Sequence, residues 1–549
     1  MRQITTLHGT KPAKVKVLAC EDHPDECKSI QDATEAPLIP KCNTDLNVII
    51  LIGLLRWRLG MKRHEIRAFL NTKGIYLSTG TISNRSLDFL LLFKQLHKNK
   101  LKEIKASIER KGCMILHMDG THRAGGRVVF VLQEGLDNIV IDADLIPSES
   151  EENVNPLLSE FKMTYGSPLV IVRDMAKGLA LSSSKIFPNI PQQICQVHFI
   201  RNLEKDLITE YHKKLKSSIV KHKLTSKLKA LRNGGDGSED WIKKLQGRWV
   251  HIAVDYLLYP IERSVKWISR PISYFIQYCR IKEVCDLVRR LVSWNASNNC
   301  FYKPLIELYA GLKSVLEDPI VFDYYCLLEK TLQWLDELRD ILRISRKTNL
   351  TDSSPTEIDL DEIIAKIKDV LVKIRVESRK LGKQYQQIAS AINDVFKSHW
   401  EELFVPNPII NGKKVPFKRH NNGLESSHRN TRKSIRERTG RSETNREMEQ
   451  FGDLLAILSN LWNETYLKEI LFDIEDIGRS LSPFVKDLPR LRKEYREIRR
   501  GPAIPIADMK RISVLEDFIE VLESTKPSGE LISTLQAILG AEISVEAVC

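Results

Sequence analysis

The stretches CMILHMD (113–119), GRVVFVLQEG (126–135) and NIVIDADLI (138–146) are short apolar runs separated by turn-sized gaps. PLVIVRD (168–174) and QQICQVHF (192–199) follow, each after a segment with helical periodicity, SESEENVNPLLSEFKMTYG (148–166) and MAKGLALSSSKIF (175–187). The runs are too short for core helices and too uniformly apolar for strands with one wet face. They predict three strands, a helix, a strand, a helix and a further strand. That order is ribonuclease H-like: a mixed sheet covered on both faces.

Outward from this core the pattern turns helical. Residues 209–405 read as an all-helical insertion, and core material resumes over 406–456. Residues 457–549 form a helical C-terminal region, in which PRLRKEYREIRRG (489–501) is either a solvated helix face or a DNA contact. Six of the eight tryptophans lie between 241 and 400, Trp400 among them. Core packing accounts for most of them, and a base-stacking platform is the other reading.

Upstream, residues 46–100 carry LNVIILIGLLRWRLG, closed by Gly60, and MKRHEIRAFLNTKG, closed by Gly74. A longer helix follows, with Ser78 or Thr79 as its cap. A short helix, a glycine turn and a helix opening on Thr81, Ser83, Asn84 and Arg85 form a helix-turn-helix pattern whose side chains suit base edges and phosphates. A plain helical hairpin is the competing reading. Residues 1–45 are expected to be an irregular polar segment. Its Cys20, His23, Cys27 and Cys42 number enough for a tetrahedral zinc site, but their spacing is not that of a standard finger.

Lys and Arg total 84 against 71 Asp and Glu, a net charge of +13, which favours a polyanionic partner. Ten cysteines stand at irregular spacings without a C-x-x-C pair, and no charged leader precedes an apolar run. A reducing, cytoplasmic setting is therefore expected. The apolar runs VIILIGLL (48–55) and FLLLF (89–93) fall far short of the ~20 residues a bilayer needs. No membrane partner is expected. The absence of a G-x4-G-K-[ST] loop removes the usual signature of a nucleotide cofactor.

The chemistry concentrates in acids. Asp119 and Asp174 stand at the carboxyl ends of predicted strands, where ligands of α/β sheets gather. Glu425, in KRHNNGLESSHRNTRKSIRERTGR (418–441), is the best third carboxylate, with Glu437 and Glu443 as fallbacks. The cations around it, Lys418, Arg419, Arg429, Arg432 and Lys433 among them, are expected to neutralise DNA phosphates. Three carboxylates closing on one point predict a two-metal Mg²⁺ or Mn²⁺ centre, with ions about 3.5–4 Å apart. Asp142, Asp144, His117 and His122 are weaker candidates for the same site. Cys195 and His198 form a C-x2-H pair that, on a continuing strand, would point to opposite faces; a supporting role fits better than zinc.

At these residues the sequence resembles the Mutator-type insertion-sequence transposases. The similarity rests on LHMDGTH, VIVRDMAKGL, CQVHFIRNLEKDL and NNGLESSHRNTRKSIRERTGR, occurring in the family's order over 113–208 and 418–450. It implies that Asp119, Asp174 and Glu425 are the catalytic carboxylates and that Cys195 and His198 are the family's supporting C-x2-H. It further implies hydrolysis of double-stranded DNA at element ends, then attack of the freed 3′-hydroxyl on target DNA. Since two ends must be synapsed, a homodimer or higher oligomer is expected. A DNA-binding protein on an inactive scaffold and a nuclease without joining activity are the alternatives.

Overall fold

A computed structural model describes residues 2–13, 15–19, 28–32, 43–121, 126–233, 240–259, 272–298, 301–344, 360–471 and 477–499. Two hairpins open the chain: β1 (Arg2–Thr6) with β2 (Gly9–Ala13), and β3 (Val15–Ala19) with β4 (Lys28–Asp32). The expected irregular segment is thus partly paired, because VKVLA alternates as a strand does. Cys20, His23, Cys27 and Cys42 lie outside the described residues.

Helices α1 (Leu46–Gly53), α2 (Arg63–Thr72), α3 (Thr79–Asn99) and α4 (Leu101–Lys111) precede the sheet. Asp45 caps α1 by accepting the Val48 amide at 2.8 Å, and Ser78 caps α3 by accepting that of Thr81 at 3.0 Å. Gly74, at φ +71°, takes the left-handed turn between α2 and α3.

Five strands make the central sheet: β5 (Ile115–Thr121), β6 (Val128–Glu134), β7 (Ile139–Ile146), β8 (Val170–Arg173) and β9 (Gln192–Ile194). Their spatial order is β7-β6-β5-β8-β9. The first three are antiparallel, whereas β5, β8 and β9 run parallel, joined through α5 (Glu151–Tyr165) and α6 (Lys177–Ile186). This mixed sheet is consistent with the expected ribonuclease H-like core.

Strand β9 stops at Ile194, four residues before His198. From Gln196 the chain is already α7 (Gln196–Lys221), a helix of about 39 Å by its 26 residues. The expected strand over 192–199 is corrected accordingly: Cys195 caps the helix and His198 lies in its first turn. VHFIRNLEKDL places apolar residues at helical spacing, and this outweighs the short apolar run before it.

Helix α7 leads into the helical region: α8 (Leu224–Asn233), α9 (Trp241–Leu258), α10 (Ser273–Ser297), α11 (Lys303–Leu316), α12 (Pro319–Ile341), α13 (Leu360–Leu381), α14 (Lys383–Ser398) and the short α15 (Trp400–Leu403). The chain returns through α16 (Asn422–Thr439) and α17 (Asn445–Leu458). Two apolar cores result. One joins the sheet to α1, α3, α17 and the C-terminal helices; the other fills the helical region around α7 and α12. Among the described residues no helix is long and apolar enough to cross a membrane.

Candidate active site

Strands β5 and β8 pair in parallel with His117 opposite Val172. Continued two residues, that register sets Asp119 against Asp174 at the carboxyl edge of the sheet. Asp119, on the central strand, is only 4% exposed. Burial pushes its carboxyl well above the usual range, and the charges of Glu425, Asp174 and Glu149 push it further. Asp174 accepts the Ala176 amide on Oδ1 at 2.7 Å, a turn that launches α6.

Glu425 arrives in the first turn of α16 and faces α7. Arg201 grips it with two parallel bonds, Nη1 to Oε1 at 2.6 Å and Nη2 to Oε2 at 2.7 Å. His198 Nε2 lies 3.4 Å from the same Oε1. Burial works against the charge on Arg201, but the Glu425 carboxylate more than offsets it, and the guanidinium is held above its ordinary range. Burial lowers His198, opposed by Glu425 and Asp174.

The expected Mg²⁺ or Mn²⁺ pair is corrected here. Among the described residues no group of three or more His, Cys, Asp or Glu side chains is arranged to hold a metal ion. The physical reason lies in the partners. Both Glu425 oxygens face a guanidinium, one Asp174 oxygen faces a backbone amide, and the Asp119 environment favours the neutral acid. The three acids are gathered, but not as a set of open oxygen ligands.

A fourth acid, Glu149, stands at this edge. Burial and then the Asp174 charge push it up to about 7, and its Oε1 is buried without a hydrogen-bond partner among the described residues. Glycines make room for it. A Cβ on Gly120 would lie 2.0 Å from Glu149 Oε1, and one on Gly178 would lie 1.9 Å from the Glu149 carbonyl oxygen. In sequence Glu149 stood in SESEEN, where an acid before a helix reads as a cap.

Asn421 holds the junction together. Its side-chain Nδ2 donates to the Met118 carbonyl at 2.9 Å, while Oδ1 accepts from His117 Nδ1 at 3.0 Å. Its backbone amide donates to Cys195 Sγ at 3.3 Å. Burial pushes the Cys195 thiol up to about 12 and holds His117 down at about 3, so both are neutral packing groups. Cys195 thus bears on the turn that delivers Glu425. His122 lies outside the described residues.

The remaining expected residues scatter. Arg419 is turned inward, donating to Gln193 Oε1 at 2.7 Å and Asn407 Oδ1 at 3.0 Å, with its guanidinium 4.4 Å from the Phe417 ring centre. Lys418 donates to Asn138 Oδ1 at 3.3 Å. Arg432 reaches Thr121 Oγ1, at the end of β5, at 3.0 Å. Arg429 and Lys433 are exposed on α16, and Lys433 lies 3.8 Å from Glu437. Glu443 bonds Asn445 at 3.1 Å. Asp144 pairs with Lys94 at 3.0 Å, and the nearby Asp142 shares that cation's field, so both belong to another polar network. On α3, Thr81 and Ser83 are half-buried, Asn84 is exposed, and Arg85 is drawn to Asp88 at 2.9 Å.

Comparison with known families bears on this edge. Residues 129–254 match the family described as Transposase, Mutator family. The Mutator-family match runs from β6 into α9 and includes Glu149, Asp174, Cys195, His198 and Arg201. Asp119 and Glu425 lie outside it. The match is consistent with a polynucleotidyl-transferase-like enzyme. No curated protein matches the chain.

Proposed function

We propose that this chain is a DNA transposase: it binds the ends of a mobile element, hydrolyses a phosphodiester bond there, and transfers the freed 3′-hydroxyl to target DNA. The observation carrying this reading is the gathering of Asp119, Asp174 and Glu425 at one sheet edge. The Mutator-family match through the adjoining strands and α7 supports it.

Proton transfer in this scheme falls to groups whose environments separate their pKa values. Glu149, near 7, accepts the proton of the attacking water as oxygen bonds to phosphorus. Asp119, held neutral by burial, gives its proton to the leaving 3′-oxygen as the phosphorus–oxygen bond breaks. In the joining step the freed 3′-hydroxyl takes the place of water. Burial raises both acids and the Asp174 charge adds to it, while Glu425 orients Arg201 beside them to meet the reacting phosphate. Arg429, Arg432 and Lys433 hold the backbone beside it.

In this reading α2 and α3 act as a helix-turn-helix, with Thr81, Ser83 and Asn84 toward DNA and Arg85 released from Asp88 on binding. A homodimer or larger assembly brings two ends together. The deciding experiment incubates the full chain with labelled duplexes bearing the element's termini. Joined products support a transposase. Cut ends without joining would leave a nuclease, and binding without cutting would leave a DNA-binding protein.

A further inference from the structure

Helices α13 and α14 form a hairpin with a groove of about 620 Å³ between them, in the helical region, and its lining contains none of the sheet-edge acids. Lys368, Arg375 and Arg379 line it from α13, at steps of seven and four residues that keep one helix face. Lys397 faces them from α14. The α13 row spans roughly 16 Å at the helical rise. One acid, Asp394, lines the groove, and it accepts a hydrogen bond from Ser390 at 3.2 Å.

Among the described residues, none of these four cations is ion-paired. Their neighbours are: Lys366 pairs with Glu362, and Lys373 with Glu337 at 2.7 Å. Four cations against the single carboxylate of Asp394 leave the groove lining with a net positive charge. At one end Trp400 offers its ring, with Lys368 Nζ 5.7 Å from the centre. Trp400 opens α15, whose Glu402 binds Arg173 at 2.7 Å, and Arg173 directly precedes Asp174. The groove is thus tied through one short helix to the sheet edge.

We propose that this groove binds the sugar-phosphate backbone of DNA, as a contact separate from the acidic edge. A row of cations without ion-pair partners, with an aromatic beside it, is the footprint of a linear polyanion. The inference rests on the transposase reading only for naming that polyanion as DNA.

The test uses the full chain and a fluorescein-labelled duplex, titrated over a range of salt concentrations. The quadruple variant K368A/R375A/R379A/K397A is compared with wild type and with the charge-conserving variant K368R/R375K/R379K/K397R. Each lost phosphate contact lowers the slope of log K against log salt by about 0.9, so the alanine variant should lose a slope of roughly 3 to 4. Its affinity should fall at least tenfold, while the charge-conserving variant binds as wild type. An alanine variant with native circular dichroism, unchanged slope and unchanged affinity would overturn the proposal. So would a variant that still binds DNA but loses polyglutamate, because the groove would then serve an acidic protein. Groove-dependent DNA binding without any joined product would uphold the groove and refute the transposase reading.

Discussion

Arg201 on α7 and Glu425 on α16 meet fork to fork, with bonds of 2.6 and 2.7 Å bridging 224 positions of sequence. The pair is partly buried, Glu425 at 14% side-chain exposure and Arg201 at 31%. Removing Arg201 leaves the Glu425 carboxylate without its cation beside other acids, and this drives the first prediction.

Arg201→Ala should destabilise the fold by about 1–3 kcal/mol, less than a fully buried pair would cost because the site is partly solvated. Arg201→Lys should recover part of that, keeping the charge but losing the second bond. Denaturant melts of the three proteins check it; an alanine variant as stable as wild type would show that the pair contributes nothing net.

Glu149 gives a pH signature. A carboxyl whose folded pKa is raised stabilises the fold below its unfolded value, and that contribution is lost as pH rises through the folded value. For Glu149 the window runs from its ordinary 4.5 to about 7. Glu149→Gln should flatten stability across that window and raise Tm above pH 7. In cleavage assays it should remove the basic group with an apparent pKa near 7. Thermal melts and rate profiles across pH measure both.

Gly120 has no space for a side chain, since its Cβ would sit 2.0 Å from Glu149 Oε1 and 2.7 Å from Val128 Cγ1. Gly120→Ala should cost about 1–3 kcal/mol by overpacking. Combining it with Glu149→Ala should recover part of that loss, the Val128 contact remaining. Strict additivity in a double-mutant cycle would mean that the two positions are not coupled.

Asn421→Ala removes two side-chain bonds, to Met118 and His117, at a buried position. A loss of about 2–4 kcal/mol is expected, since both partners are left buried and unsatisfied. Cleavage should fall as well, because the turn that carries Glu425 loses its anchor. Cys195→Ser, which retains a hydrogen-bond acceptor, should be much milder in both readouts.

The sheet and its two strand-end acids were legible because short, wholly apolar runs ending on Asp leave few other readings. Glu425 was legible from its place in the first turn of a helix crowded with cations. What pairs with it was not. Arg201 sits in RNLEKDL, an ordinary amphipathic stretch, and nothing local predicts a partner so far along the chain. The two-metal expectation failed at that point, because oxygens counted as open ligands turned out to face donors. Glu149 was hidden by its resemblance to a helix cap, and Arg419 by the assumption that an arginine in a basic run faces solvent. The strand through His198 failed because CQVHF fits a strand and a helix start equally well until α7 is read as a whole.

The central claim is that Asp119 and Asp174 act as one unit. Cleavage of a labelled terminal duplex by Asp119→Asn, Asp174→Asn and the double variant tests it most directly, with DNA binding measured alongside. Each single variant should lose cleavage as completely as the double one, with binding retained, because residues acting together are not additive. A folded single variant that cuts like wild type, or losses that simply multiply, would contradict it.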